Sequence, residues 1–182
     1  MANQTSPVTL EKHQVSSHGL IPNTSLHGIP FIHYKSAFAS AASPDDVEQT
    51  LYANGWNPTW RYTMYKSSHF HSTTHEALVV ISGSAEILLG GDENPHAVTV
   101  TVKTGDAMFM PVGVAHRLVK DVGGRGWGGG EGFTMVGAYP VGGEAWDMCY
   151  GKEGENEVEE KVREVAGVEV QDPILGGKLG GG

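Results

Sequence analysis

The sequence predicts an all-β domain of the sandwich or barrel type, carrying two short helices at its periphery. Three observations lead there. Seven short apolar runs follow one another between residues 58 and 140, separated by turn signals such as SG, GGDENP, KTGD and PVG. One of them, AVTVTV (97–102), alternates strictly, as a strand does with one face buried and the other wet. Only two stretches, one on each side of this region, show a helical period.

From the N-terminus, residues 1–28 are polar, rich in Ser, Thr and His, and without a clear period. We expect an N-terminal arm over 1–35 that drapes over the domain or reaches a neighbour, with a short strand in GIPFIHY (28–34). SPDDVEQTLYANG (43–55) predicts the first helix. Ser43 is an N-cap, Pro44 fits the first helical position, and Asp45 and Asp46 suit the positive end of the dipole. Val47 and Leu51 share one face, and Gly55 is a stop. The strands are then RYTMY (61–65), ALVVI (77–81), AEILL (85–89), AVTVTV (97–102), AMFM (107–110), HRLV (116–119) and FTMVGAY (133–139). GGRGWGGGEG (123–132) reads as a surface loop, since a phosphate-binding role would need a strand-to-helix context and a Walker lysine. NEVEEKVREVAG (156–167) predicts the second helix, capped by Asn156, with Val158, Val162 and Val165 as its stripe. The expected organisation is the arm, one domain over 36–175 and a frayed glycine-rich tail over 176–182.

Composition narrows the function classes. With 182 residues, 39% of them hydrophobic, the chain suits one domain with a sizeable core. A formal net charge of −9 argues against a nucleic-acid partner and against an anionic membrane surface. No apolar run approaches the roughly 20 residues that span a bilayer. The N-terminus lacks a charged start followed by an apolar core, and the one cysteine, Cys149, permits a reducing compartment, so a cytoplasmic location is expected. Cys149 has no partner base in any motif, which argues against nucleophilic catalysis.

The chemistry concentrates in SSHFHSTTHEALVVISG (67–83). His69 and His71 are two apart, so in a strand both rings share one face. Imidazoles side by side repel once protonated and lose solvation when buried, and a divalent metal bound to their neutral nitrogens resolves both problems. Glu76 follows five residues later, and His116 opens a downstream strand after a Pro111–Gly113 turn. Mixed histidine and carboxylate donors suit Fe(II), Mn(II), Ni(II), Zn(II) or Cu(II), and spacing cannot select among them. Glu76 acts either as a ligand or as a hydrogen-bond partner of one. His75 alternates with Glu76 and faces the opposite way in an unbroken strand. A bulge would turn it inward as a ligand or acid/base group, and otherwise it anchors the turn. If the strand from 61 runs unbroken into 71, Arg61, Thr63 and Tyr65 share the face of the two histidines, making Arg61 and Tyr65 candidates for binding substrate. The alternative for Arg61 is a surface ion pair. His13, His18, His27, His33 and His96 read as structural or solvated.

H-x-H-x4-E-x6-G, present as His69, His71, Glu76 and Gly83, resembles the first motif of the cupin superfamily, and G-x5-P-x-G-x2-H, present as Gly105, Pro111, Gly113 and His116, resembles the second. Thr63 and Lys120 stand where cupins often have glycine and asparagine, at positions that do not normally ligate the metal. IPN (21–23), PFIHYKSAF (30–38), HFHSTTHE (69–76), GVAHR (113–117), VGAYP (136–140) with WD (146–147), and DPI near residue 173 are similar to the small single-domain YjlB-like cupins. The resemblance implies a double-stranded β-helix, or jelly roll, with one divalent transition metal inside, Fe(II) favoured, held by His69, His71, Glu76 and His116. Four protein ligands in an octahedral shell leave about two positions for a chelating substrate or dioxygen. The expected function is that of a metal-dependent oxygenase or oxidase on a small oxygenated metabolite. The alternatives are a redox-neutral isomerase, cyclase or decarboxylase in which His75 or Glu76 moves a proton, and a non-enzymatic metal- or ligand-binding protein. A small-molecule partner and a homodimer are expected, without nucleic acid or membrane.

Overall fold

The computed structural model describes residues 7–40, 42–123, 132–155 and 157–180. Its strands, in chain order, are β1 (Thr9–His13), β2 (Phe31–Lys35), β3 (Trp56–Tyr62), β4 (Glu76–Ser82), β5 (Ser84–Leu89), β6 (Val98–Lys103), β7 (Ala107–Met110), β8 (His116–Asp121) and β9 (Thr134–Pro140). Two helices, α1 (Pro44–Ala53) and α2 (Val158–Ala166), lie outside them. The strands form a six-stranded sheet in the order β1-β2-β7-β4-β9-β3 and a three-stranded sheet in the order β6-β5-β8. The strand pairings within both sheets are antiparallel, and the two sheets close over one core as a double-stranded β-helix.

Alternation decides which residues meet in that core. Leu78 and Val80 of β4, Met108 and Met110 of β7 and Met135 of β9 face Ala85, Ile87, Leu89, Val100 and Val102 of the small sheet. The odd-numbered residues of β4, Ala77, Val79 and Ile81, face the other way and pack with Val47 and Leu51 of α1, Trp56 and Ile174. The large sheet is thus covered on both faces, which is why EALVVIS is buried throughout. β6 alternates buried and wet positions beyond its first residues, as its sequence predicts. α1 forms where expected, closed by a capping box in which Asp46 N–H donates to Ser43 Oγ at 3.2 Å and Ser43 N–H donates to Asp46 Oδ2 at 2.8 Å. The expected cap of α2, Asn156, lies outside the described residues, as do positions 124–131 of the glycine-rich loop.

Both ends of the chain differ from the sequence expectation. The segment expected as an arm supplies β1 and β2 to the large sheet, and β1 was not anticipated because TLEKH shows almost no apolar alternation. The tail up to Gly180 folds back. Buried Asp172 accepts N–H bonds from Ile174 (2.9 Å), Leu175 (2.8 Å) and Gly180 (2.9 Å), and a hydroxyl bond from Tyr34 (2.8 Å). Among the described residues, no helix is long and apolar enough to cross a membrane.

Candidate metal centre

Residues 69–71 belong to no named strand, yet they lie in a ladder that links three parts of the chain. His69 N–H donates to His116 O at 3.2 Å, and His116 N–H returns the bond to His69 O at 2.9 Å. Phe70 pairs in the same manner with Cys149, both bonds at 2.9 Å. Gly113 N–H donates to His71 O at 2.8 Å from a backbone at φ +81°, a conformation that favours glycine in the turn delivering His116. The two motifs are therefore stitched together by main-chain bonds at the positions that carry the imidazoles.

Each of the three rings is fixed by the nitrogen that faces away from the centre. Nδ1–H of His69 donates to Ser67 O at 3.0 Å, that of His71 to Asp147 O at 2.5 Å, and that of His116 to Val114 O at 3.0 Å. With its proton on Nδ1, each ring turns an Nε2 lone pair inward, the tautomer that a metal ligand needs. One donor nitrogen from each ring lies within 4.8 Å of the others, and all three residues are buried. This donor set fits a divalent transition metal. Glu76 lies beside it: Oε2 is 3.5 Å from Nε2 of both His71 and His116, and Oε1 accepts a 2.8 Å hydrogen bond from Tyr139 Oη. Tyr139 in turn accepts from Trp60 Nε1 at 3.0 Å, so Trp60, Tyr139 and Glu76 form a chain of donors ending on the carboxylate.

The electrostatics follow from burial and neighbours. Burial, reinforced by the His116 charge, holds His69 down at about 4. Burial also opposes charge on His71, but Glu76 and Asp147 outweigh it and raise its pKa. Burial alone would push the Glu76 carboxyl up, yet His116 and His71, when they carry a second proton on Nε2, hold it far below the usual carboxylate range. Beside it, burial and the Glu76 charge push the Tyr139 hydroxyl well above its ordinary value.

The centre opens into a cavity of about 230 Å³. Its walls are aromatic and thioether side chains, including Trp60, Tyr62, Tyr65, Trp146, Met64 and Met148. Tyr65 sits at the mouth with its ring edge-on to His69, centroids 5.6 Å apart.

Two expected roles are corrected. Arg61 does not line the cavity: its Nε donates to Glu48 Oε1 and its Nη2 to Asp45 Oδ1, both at 2.6 Å, outside the barrel. The end of β3 at Tyr62 breaks the continuous strand expected over 61–71, and α1 offers Arg61 two carboxylates. His75 lies behind the wall. Its Nδ1 accepts from Val112 N–H at 3.0 Å, its ring packs on Phe109 with centroids 5.3 Å apart, and burial holds its pKa down at about 4. No bulge turns it inward: His75 is absent from the cavity wall and is held against the Pro111–Gly113 turn by Val112.

Sequence reasoning missed Trp60, Tyr139, Trp146 and Asp147 as contributors. Asp147 presents its carbonyl to His71, and its carboxylate accepts from Ser72 N–H at 2.7 Å and Ser72 Oγ at 2.5 Å. Cys149 Sγ lies 3.4 Å from the same carboxylate, and burial pushes its thiol up to about 11. VGAYP and WD were legible as shared segments, but nothing in them announced these contacts.

A family described as "Cupin domain" matches residues 63–122, the stretch that contains both motifs. The uncharacterized protein YjlB of Bacillus subtilis (strain 168) is 32% identical over 158 residues, which cover 87% of this chain and 86% of that protein. The chain belongs to the cupin family. This cupin also resembles solved structures of Bacillus subtilis oxalate decarboxylase. One variant is 17% identical with a TM-score of 0.34, covering 65% of this chain and 23% of the decarboxylase. The enzyme at pH 4.6 is 16% identical with a TM-score of 0.31, covering 61% and 20%. The cupin thus spans less than a quarter of those chains, and their reaction is a property of the decarboxylase.

Proposed function

We propose that this cupin is a metal-dependent enzyme that oxidises a small oxygenated metabolite with dioxygen. The observation that carries the reading is the convergence of three inward Nε2 lone pairs and the Glu76 carboxylate at the base of an apolar cavity. His69, His71 and His116 would hold a divalent metal, Fe(II) favoured, with Glu76 as a fourth ligand. Such a metal supplies Lewis acidity and, where redox-active, electrons to dioxygen. The aromatic walls limit water, and Tyr139 keeps Glu76 oriented. Substrate would enter past Tyr65 and Trp146, which flank the mouth.

The redox-neutral alternative needs a proton relay at the wall. His75 is turned away, and both oxygens of Glu76 are engaged, Oε1 by Tyr139 and Oε2 beside Nε2 of His71 and His116. A storage or sensory role has less use for a cavity open beside the donors.

The test is metal analysis of protein purified without chelator, followed by oxygen uptake with Fe(II)-loaded protein and a panel of ortho-dioxygenated compounds. One metal per chain and substrate-dependent uptake, both lost in His116→Ala, are expected. A bound metal with no uptake across the panel would overturn the oxidative reading, and no bound metal would overturn the site.

A further inference from the structure

The cavity wall carries a charge pattern that bears on which substrates it admits. Among the described residues that line it, Glu76 is the only carboxylate, and no Lys or Arg is present. Arg61, next to Trp60 and Tyr62 in sequence, is turned outward to Asp45 and Glu48, and Arg117, next to His116, is paired with Asp92. A small dicarboxylate together with Glu76 would outweigh the charge of a divalent cation and leave a net anion in an apolar enclosure with no cation to pair it. The hydrogen-bonding groups deepest in the wall are already committed, Trp60 Nε1 to Tyr139 and Tyr139 Oη to Glu76, so they offer no fork for a carboxylate.

The wall instead offers ring faces. Trp146 packs against His71 with centroids 5.8 Å apart and remains 44% exposed at the mouth, free to cover an incoming ring. Met64, Met135 and Met148 supply polarizable sulfur around it. A volume of about 230 Å³ is below the range of drug-sized pockets and suits a single ring.

We infer that the cavity takes an uncharged aromatic molecule with two adjacent hydroxyls, of the catechol class, and rejects small carboxylate anions. The inference rests on the metal-dependent reading above. A catechol is neutral in solution and sheds only as many protons on chelation as the centre's charge balance favours, whereas a dicarboxylate brings its full charge.

The experiment is calorimetric titration of the protein loaded with redox-inert Zn(II), using catechol, oxalate and acetohydroxamate, the last an uncharged chelator without a ring. Catechol should bind at least about tenfold tighter than either. Trp146→Ala should weaken catechol about tenfold and acetohydroxamate by less than about twofold, with zinc stoichiometry unchanged. Thr63→Arg, which adds a cation to the wall, should strengthen oxalate about tenfold, and Arg61→Ala should leave the ranking as it is. Oxalate binding as tightly as catechol, or Trp146→Ala weakening both uncharged chelators alike, would overturn the substrate class while one bound zinc leaves the metal reading standing. Failure to bind zinc at all would remove both.

Discussion

Gly137 is the position where a single methyl group should reach the candidate site. A Cβ there would lie 2.0 Å from Cε2 and 2.1 Å from Cζ2 of Trp60. Carbon atoms in contact sit at about 3.5–4.0 Å, so the indole must retreat by about 1.5 Å or more. Trp60 is paired with Gly137 across the β3–β9 ladder, and the backbones cannot separate without losing that pairing. The ring must therefore tilt, and its Nε1–H leaves Tyr139, the donor to Glu76. Overpacking costs about 1–3 kcal/mol, and weakening a hydrogen-bond chain that ends on a buried charge adds about 1 kcal/mol. Gly137→Ala should lower unfolding free energy by about 2–4 kcal/mol, read as a lower urea midpoint at constant slope. In a Trp60→Ala background the same substitution should cost less than about 1 kcal/mol, because the clash is gone. Equal costs in the two backgrounds would refute the steric argument.

Other expectations follow from single contacts. His75 has a folded pKa of about 4 against an ordinary 6.5, so the unfolded chain takes up the proton first as pH falls. Its contribution is complete above pH 6.5 and is lost progressively toward pH 4, about 2 kcal/mol at pH 5. His75→Phe, which keeps the packing on Phe109, should flatten that slope in urea titrations at pH 7 and 5, and an unchanged slope would count against it. Asp147→Ala should weaken metal binding about 10- to 100-fold in chelator competition, because it frees the segment whose carbonyl holds His71, and Asp147→Asn should recover part of the loss. Tyr139→Phe leaves Glu76 Oε1 without its donor, and a stability loss of about 1.5–3 kcal/mol in urea is expected, with no loss sinking the assignment.

Most strands and α1 were legible because their signals are local. Alternation marks β6, a capping residue and two apolar positions mark α1, and two histidines at a spacing of two mark the site. What escaped is set by contacts distant in sequence. Tyr139 reaches Glu76, and Asp147 reaches Ser72, through pairings that no periodicity announces. Arg61 is misplaced in the sequence reading because β3 ends at Tyr62, so the parity that would carry its side chain to the face of His69 and His71 does not persist, and Trp60 and Tyr62 face the cavity instead. His75 shows the reverse case: plain alternation, without the bulge, was the better guide.

The paired amides of His69 and His116 have one more consequence. The two residues whose rings face the centre are also those whose backbones zip the two motif segments together. Breathing of that seam shifts the backbones that carry these two rings together, while His71 is held separately by Gly113 and Asp147. Hydrogen exchange at these two amides would then clock the lifetime of the assembled site directly, and a cation bridging the rings should slow both by the same factor.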